Sequence, residues 1–220
     1  MRINIAIDGP SAAGKSTIAD ILAERLGYTH LDTGAMYRAV ALKAIRDGID
    51  LADEEKIVAM IDEMDLVMPS DGSVILEGED VSKEIRTNEI SMGASDVSKL
   101  AGCRKALVAM QQRICKDGGY ILDGRDIGTV VLKDAPVKIY MVASPEARAQ
   151  RRLLQNQKNG IEGDYESILE DIKKRDYQDM HREVSPLKKA EDAIEIDTSY
   201  MSKEEVADAV MKIVLKKTGD

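Results

Sequence analysis

The stretch GPSAAGKST, Gly9 to Thr17, decides the fold. It follows RINIAI (Arg2 to Ile7), which reads as a short, mostly buried strand. It leads into Lys15 to Leu26, where Ile18, Ile21, Leu22 and Leu26 share a helical face and Gly27 supplies a stop. Strand, loop and helix in that order are the context in which G-x-x-x-x-G-K-S/T builds a phosphate cradle, the P-loop. Gly9 and Gly14 let the backbone turn and approach an anion with no Cβ in the way. The amides that follow Pro10, those of Ser11, Ala12, Ala13 and onward, then converge with the positive end of the helix on phosphate oxygens. Lys15 adds a full charge for the terminal phosphates, and the Ser16 hydroxyl, with Thr17 beside it, suits Mg2+. A glycine-rich turn that merely starts a helix would need neither Lys15 nor Ser16. The stretch implies a bound nucleoside triphosphate.

Outward from the loop, strands and helices alternate. Tyr28 to Leu31 reads as a strand, then a turn Asp32-Thr33-Gly34, then helices Ala35 to Arg46 and Glu54 to Met64. Later strands are expected at Tyr120 to Leu122, Val137 to Val142 and Ala193 to Ile196. Helices are expected near Pro145 to Lys158, Tyr165 to Arg182 and Lys203 to Lys216, the last opened by a Ser202/Glu205 capping box. Such alternation implies crossover connections and a parallel sheet covered by helices, a three-layer α/β architecture. One stretch interrupts it. Asp65 to Met68, the turn Ser70-Asp71-Gly72 and Ser73 to Leu76 read as an antiparallel hairpin ended by Glu77-Gly78, within an inserted surface segment of about Met64 to Thr87. Two helices, roughly Thr87 to Leu100 and Arg104 to Lys116, follow it.

Composition narrows the partners. The 220 residues carry 31 Lys+Arg against 40 Asp+Glu, a net charge of -9, which argues against a phosphate-neutralising face for duplex nucleic acid. Seven Tyr are the only aromatics, too few for a base-stacking platform on single strands. No apolar run approaches a membrane span, and the apolar start is cut at Asp8. Cys103 and Cys115 fit neither a metal motif nor a disulfide framework and read as reduced thiols in or near a core. A cytoplasmic monomer without membrane or nucleic-acid partners is expected.

A P-loop alone fixes no reaction, so the second substrate must be sought elsewhere. No Asn-Lys-x-Asp element for a guanine switch is present, and no repeat suggests a motor. Arginines near carboxylates stand out instead. Asp32, Thr33 and Gly34 are followed by Tyr37 and Arg38; DGRDIG gives Asp123, Arg125 and Asp126 at a strand end, where doubly wound sheets bind ligands. Asp123 sits where a carboxylate would face a metal. Arg104 opens the helix leading into that strand, and Arg175, Asp179 and Arg182 share one face of another. Taken singly, Thr33 and Tyr37 read equally as helix capping and packing, Arg38 as a solvated charge, and Arg175–Asp179 as an ordinary intrahelical ion pair. Together with the P-loop they suggest a second, phosphorylated acceptor.

These residues also carry a resemblance. GPSAAGKST, LDTGAMYR, VILEGEDVSKEIRT, LDGRDIGTVV, DAPVKIYM and IKKRDYQDMHRE, in this order and spacing, closely resemble the bacterial cytidylate kinases, P-loop nucleoside monophosphate kinases, over essentially the whole chain. The resemblance implies one kinase domain over 1–220: a core parallel sheet of five strands, an enlarged monophosphate-binding lobe at about 33–104 that includes the hairpin insertion, and a short lid at about 148–164. It implies in-line transfer of the ATP γ-phosphoryl group to CMP or dCMP with Mg2+. Thr33, Arg104, Arg125 and Asp126 would then engage the cytosine and its neighbourhood, and Arg175, Asp179 and Arg182 the sugar and phosphate side. Tyr37 and Arg38 fall in the matching motif. Arg148, Arg151 and Arg152 match the lid, which clamps the transferring phosphate; Lys15, Arg125, Arg148 and Arg152 are the candidate catalytic cations, and Ser16 and Asp123 the candidate metal ligands.

The chemistry agrees. A phosphate acceptor with a second pKa near 6 is already deprotonated at neutral pH, so no side-chain base is needed. A chain with only two histidines, His30 and His181, therefore lacks nothing for this reaction. What the transfer requires is fixed cations in a dry site. A kinase for another monophosphate, or a non-catalytic P-loop module, would be the alternatives; an arginine-lined acceptor site speaks against the module.

Overall fold

The structure is a computed structural model that describes residues 2–158, 160 and 162–219. Asn159 and Ile161, inside the expected lid, lie outside the described residues. The chain divides into two compact units, Met1–Tyr28 with Gly119–Asp220, and Thr29–Gly118.

The first unit is built on β1 (Ile5–Asp8), whose four residues are all buried. The P-loop leaves its C-terminal end and enters α1 (Lys15–Leu26). Helix α1 closes on Gly27, whose φ of 63° lets its N–H reach the Ala23 carbonyl. The strands β6 (Tyr120–Gly124), β7 (Val137–Val142) and β8 (Ile194–Asp197) complete this part of a five-stranded sheet ordered β2-β6-β1-β7-β8, where β2 is Thr29–Asp32. β1 runs parallel to both β6 and β7, and β7 parallel to β8. Ile18 and Leu22 of α1, with Val206, Val210 and Val214 of α8 (Lys203–Thr218), pack on Ile5, Ile7, Ile121, Ile139 and Met141. Burying each such side chain contributes about 1.5–3 kcal/mol, so this cluster holds the strand from which the loop springs. The capping box at Ser202 and Glu205 forms as expected. Helices α6 (Pro145–Lys158) and α7 (Tyr165–His181) pack together through Ala149, Ile168 and Ile172.

In the second unit α2 (Thr33–Arg46) begins directly after β2. Asp32 caps it by accepting from the Ala35 N–H at 3.0 Å, so the expected turn is a helix cap. α3 (Glu54–Glu63), α4 (Asn88–Val97) and α5 (Ala101–Ile114) follow, with α2 against α4 and α3 against α5. Between α3 and α4 lies the insertion, which differs from the expected hairpin. It is a three-stranded antiparallel sheet, β3 (Leu66–Val67), β4 (Ile75–Leu76) and β5 (Glu79–Asp80). Glu77 and Gly78 both take positive φ, 52° and 79°, and so form a two-residue turn that returns the chain as β5 rather than ending the hairpin. Because β5 is a pair of exposed acidic residues, no apolar alternation marks it in the sequence.

Candidate active site

Each glycine of the P-loop has a steric reason. A Cβ on Gly9, at φ 151°, would lie 2.1 Å from the Met141 carbonyl oxygen on β7. Gly14, at φ 95°, is the N-cap of α1. Lys15 is buried and donates from Nζ to the Pro10 carbonyl at 2.9 Å, folded over the loop. Burial first, then the neighbouring Arg125 charge, push its pKa down to about 7, against the pull of Asp123, Asp8 and Asp179. A cation held so uncomfortably gains much from an arriving anion.

Ser16 Oγ donates to Asp123 Oδ2 at 3.0 Å, and Asp123 is buried at the end of β6. A hydroxyl and a carboxylate are hard oxygen donors of the kind Mg2+ accepts when substrate phosphates and water complete its shell. No group of three or more His, Cys, Asp or Glu suited to a metal occurs among the described residues.

Beyond β6 the chain presents Arg125 and Asp126 and then turns through Ile127–Val131, a short π-helical segment absent from the sequence reading. Asp8 pins that turn. Its Oδ1 and Oδ2 accept from the Ile127 and Gly128 amides, each at 2.7 Å. Burial pushes the Asp8 carboxyl up to about 6 despite those two hydrogen bonds. Arg125 donates from Nε to Asp179 Oδ2 on α7 at 2.7 Å. Burial opposes the Asp179 carboxylate, but Arg125 outweighs it, with Arg175 and Arg182 adding to the field, and Asp179 stays below the usual carboxylate range. Arg182 lies 4.0 Å from Asp126 Oδ1, and donates from Nε to the Ser185 carbonyl at 2.6 Å. The buried Asp126 thus lies beside a guanidinium.

On α6 the three expected lid arginines lie along the P-loop. Arg148 is buried and paired through both terminal nitrogens with Asp176 of α7 at 2.9 and 2.5 Å; it also donates to the Ser11 and Ala143 carbonyls. Arg151 donates to the Ala13 carbonyl at 3.3 Å and to both the hydroxyl and the carbonyl of Thr198. Arg152 reaches Ser11 Oγ at 3.5 Å.

The second unit gathers its own set. Thr33 is buried in the first turn of α2, and Tyr37 is one turn on. Arg38 pairs with Asp32 at 2.8 Å instead of standing as a solvated charge. The guanidinium of buried Arg104 lies over the Tyr37 ring, 5.4 Å from its centroid, and donates to the Ser98 carbonyl. Arg104 stands in the first turn of α5 instead of opening it. Cys103 and Cys115 are free and buried, and burial pushes the Cys103 thiol up to about 12. Both are packing residues.

The sequence reading missed Asp8 and Asp176. A charge ending an otherwise apolar strand was the available signal for Asp8, because a buried carboxylate must find donors. Nothing local marks Asp176.

Loop, sheet order and cation placement define an α/β P-loop fold. A protein from Eubacterium ventriosum (TM-score 0.52, 13% identity, 97% of this chain and 98% of that one) and a shikimate kinase from Bacteroides thetaiotaomicron (0.50, 9%, 99% of each) share the fold and, at such identities, nothing further. The family model described as cytidylate kinase matches residues 5–216. A cytidylate kinase from Caldicellulosiruptor saccharolyticus is 49% identical over 100% of this chain and 98% of its own. Those from Bacillus subtilis (48%, 99% and 98%) and Streptococcus agalactiae (51%, 93% and 92%) are similar throughout. The chain belongs to the cytidylate kinase family.

Proposed function

We propose that the chain transfers the γ-phosphoryl group of ATP to CMP and dCMP, giving ADP and the cytidine diphosphates. The observation that carries this reading is the likeness to cytidylate kinases over the full length, joined to a P-loop unit that sets Lys15, Ser16, Asp123 and Arg125 in one electrostatic neighbourhood. The loop from Gly9 to Thr17 cradles the ATP phosphates. Lys15, Arg125 and Arg152 supply fixed positive charge where charge develops on the transferring group, and Arg148 contributes from the α6 side of the loop, in contact with Ser11. Ser16 and Asp123 would hold Mg2+, which would supply Lewis-acid neutralisation of phosphate charge. The residues proposed to engage the acceptor are Arg125, Asp126, Arg175, Asp179 and Arg182 in the first unit and Thr33, Tyr37, Arg38 and Arg104 in the second.

Asp126 is proposed to read the base. A carboxylate accepts from the exocyclic amine of cytosine, whereas uracil presents a carbonyl there and would leave acceptor against acceptor. The acceptor phosphate attacks with its own oxygen, so the residues orient and neutralise and withdraw no proton. A cytoplasmic setting is part of the proposal, supported by two buried free thiols. No helix among the described residues is long and apolar enough to cross a membrane.

Release of ADP with CMP, dCMP, UMP, AMP and shikimate offered in turn tests the reading. CMP and dCMP should be preferred; ATP hydrolysis indifferent to every acceptor would overturn it.

A further inference from the structure

Ala12, in the middle of the P-loop, holds φ at 60°, a left-handed conformation that strains an L-residue and must be maintained by its surroundings. The carbonyls on both sides of it are held. Ser11 O accepts from Arg148 Nη1 at 3.3 Å. Ala13 O accepts from Thr198 Oγ1 at 3.1 Å and from Arg151 Nη1 at 3.3 Å. In a trans peptide the C=O and the N–H of one unit point in opposite directions. Fixing Ser11 O toward Arg148 therefore turns the Ala12 N–H away from it. Fixing Ala13 O toward Thr198 and Arg151 does the same for the Gly14 N–H. Those are the amides an anion-binding backbone concavity presents.

Arg148 is itself immobilised. Its Nε donates to the Ala143 carbonyl at the end of β7 at 3.0 Å, and its two terminal nitrogens grip both oxygens of Asp176. A two-pronged guanidinium–carboxylate pair fixes orientation as well as charge. Without Asp176 the same guanidinium would be a buried cation free to rotate away from Ser11.

We propose that Asp176 is a positioning residue for nucleotide binding: by gripping Arg148 it fixes the hook on the Ser11 carbonyl, and so aims the Ala12 amide into the phosphate cradle. The proposal rests on the reading of this loop as the ATP site. It gives Arg148 a role exerted through the loop backbone, and it ties α7 to the shape of the loop.

Two measurements on Asp176→Asn and Arg148→Lys test it. In the ligand-free proteins, backbone chemical shifts report φ at Ala12; the positive-φ signature should be present in the wild type and lost in both variants. In ADP titrations both should bind about tenfold more weakly, the cost of losing a charge-assisted hydrogen bond, while the KM for CMP moves by no more than about twofold. Lysine keeps the charge of Arg148 but cannot span Ser11 and both carboxylate oxygens, so a direct charge role would be rescued by it and a positioning role would not. If either folded variant keeps the Ala12 signature, or keeps wild-type ADP affinity, the proposal is overturned. Should Asp176→Asn fail to fold, Arg148→Lys decides alone. A wild type that binds no ADP would instead remove the nucleotide reading, while the ligand-free comparison still judges the loop.

Discussion

Arg125 Nε lies 2.7 Å from Asp179 Oδ2, an ion pair that joins the residue just beyond β6 to α7. Both side chains are largely buried, at 19% and 15% exposure. Each charge therefore depends on the other: burial alone would push the carboxyl up and the guanidinium down, and the pairing reverses both. Asp179→Asn should cost about 3 kcal/mol of stability, because it leaves a buried guanidinium uncompensated. The Asp179 carboxyl lies below its unfolded value, so its contribution is fully present above the ordinary carboxylate range and lost as pH falls through the folded-state pKa. Denaturant melts of the two proteins should differ by a constant amount above about pH 5 and converge in acid. A gap independent of pH would contradict the pairing.

Asp8 behaves in the opposite sense. Its carboxyl is pushed up from 3.8 to about 6 by burial, so the fold disfavours the ionised form at neutral pH by about 3 kcal/mol. The sign is that this cost is largest above about pH 6 and fades as pH falls toward the unfolded value. Carboxyl-carbon NMR should show one aspartate titrating near 6 that disappears in Asp8→Asn. Only ordinary aspartate titrations would contradict it.

Gly9 should tolerate no side chain. An alanine Cβ would meet the Met141 carbonyl oxygen at 2.1 Å, and backbone on both sides leaves nothing flexible to move. Gly9→Ala should lower stability by about 3 kcal/mol or more, read as a drop in Tm, and should weaken ADP binding as well. An unchanged Tm would mean that β7 and the loop are further apart than described.

Asp126 is the proposed reader of the base. Asp126→Asn should narrow the ratio of kcat/KM for CMP over UMP by about tenfold, since an amide can turn either a donor or an acceptor to the base. An unchanged ratio would assign base readout to another residue.

The parts of this molecule set by local chemistry were legible in its sequence. Helix α1 spans Lys15–Leu26 as its apolar spacing and Gly27 require, and α8 begins at the Ser202/Glu205 box. The P-loop is read by the same local means. The expected hairpin gained a strand because a Glu-Gly turn with two positive φ angles leaves little trace when the returning strand is exposed and acidic. Long-range partnerships were the hidden part. Asp8 meets amides about 120 positions away, and Asp176 meets Arg148 across two helices. Arg175 and Asp179, spaced as a helical ion pair, gave no hint that the carboxylate would pair with Arg125.

In the proposed function, cations fixed around the P-loop carry phosphoryl transfer to a cytidine monophosphate. Its most direct test is CDP formation from ATP and CMP, followed by phosphorus NMR, for the wild type and Lys15→Ala. The wild type should form CDP and ADP in equal amounts, and the variant should do so about a hundredfold or more slowly, having lost the nearest fixed charge to the transferring group. Undiminished CDP formation by Lys15→Ala, or ADP released by the wild type without CDP, would contradict the account.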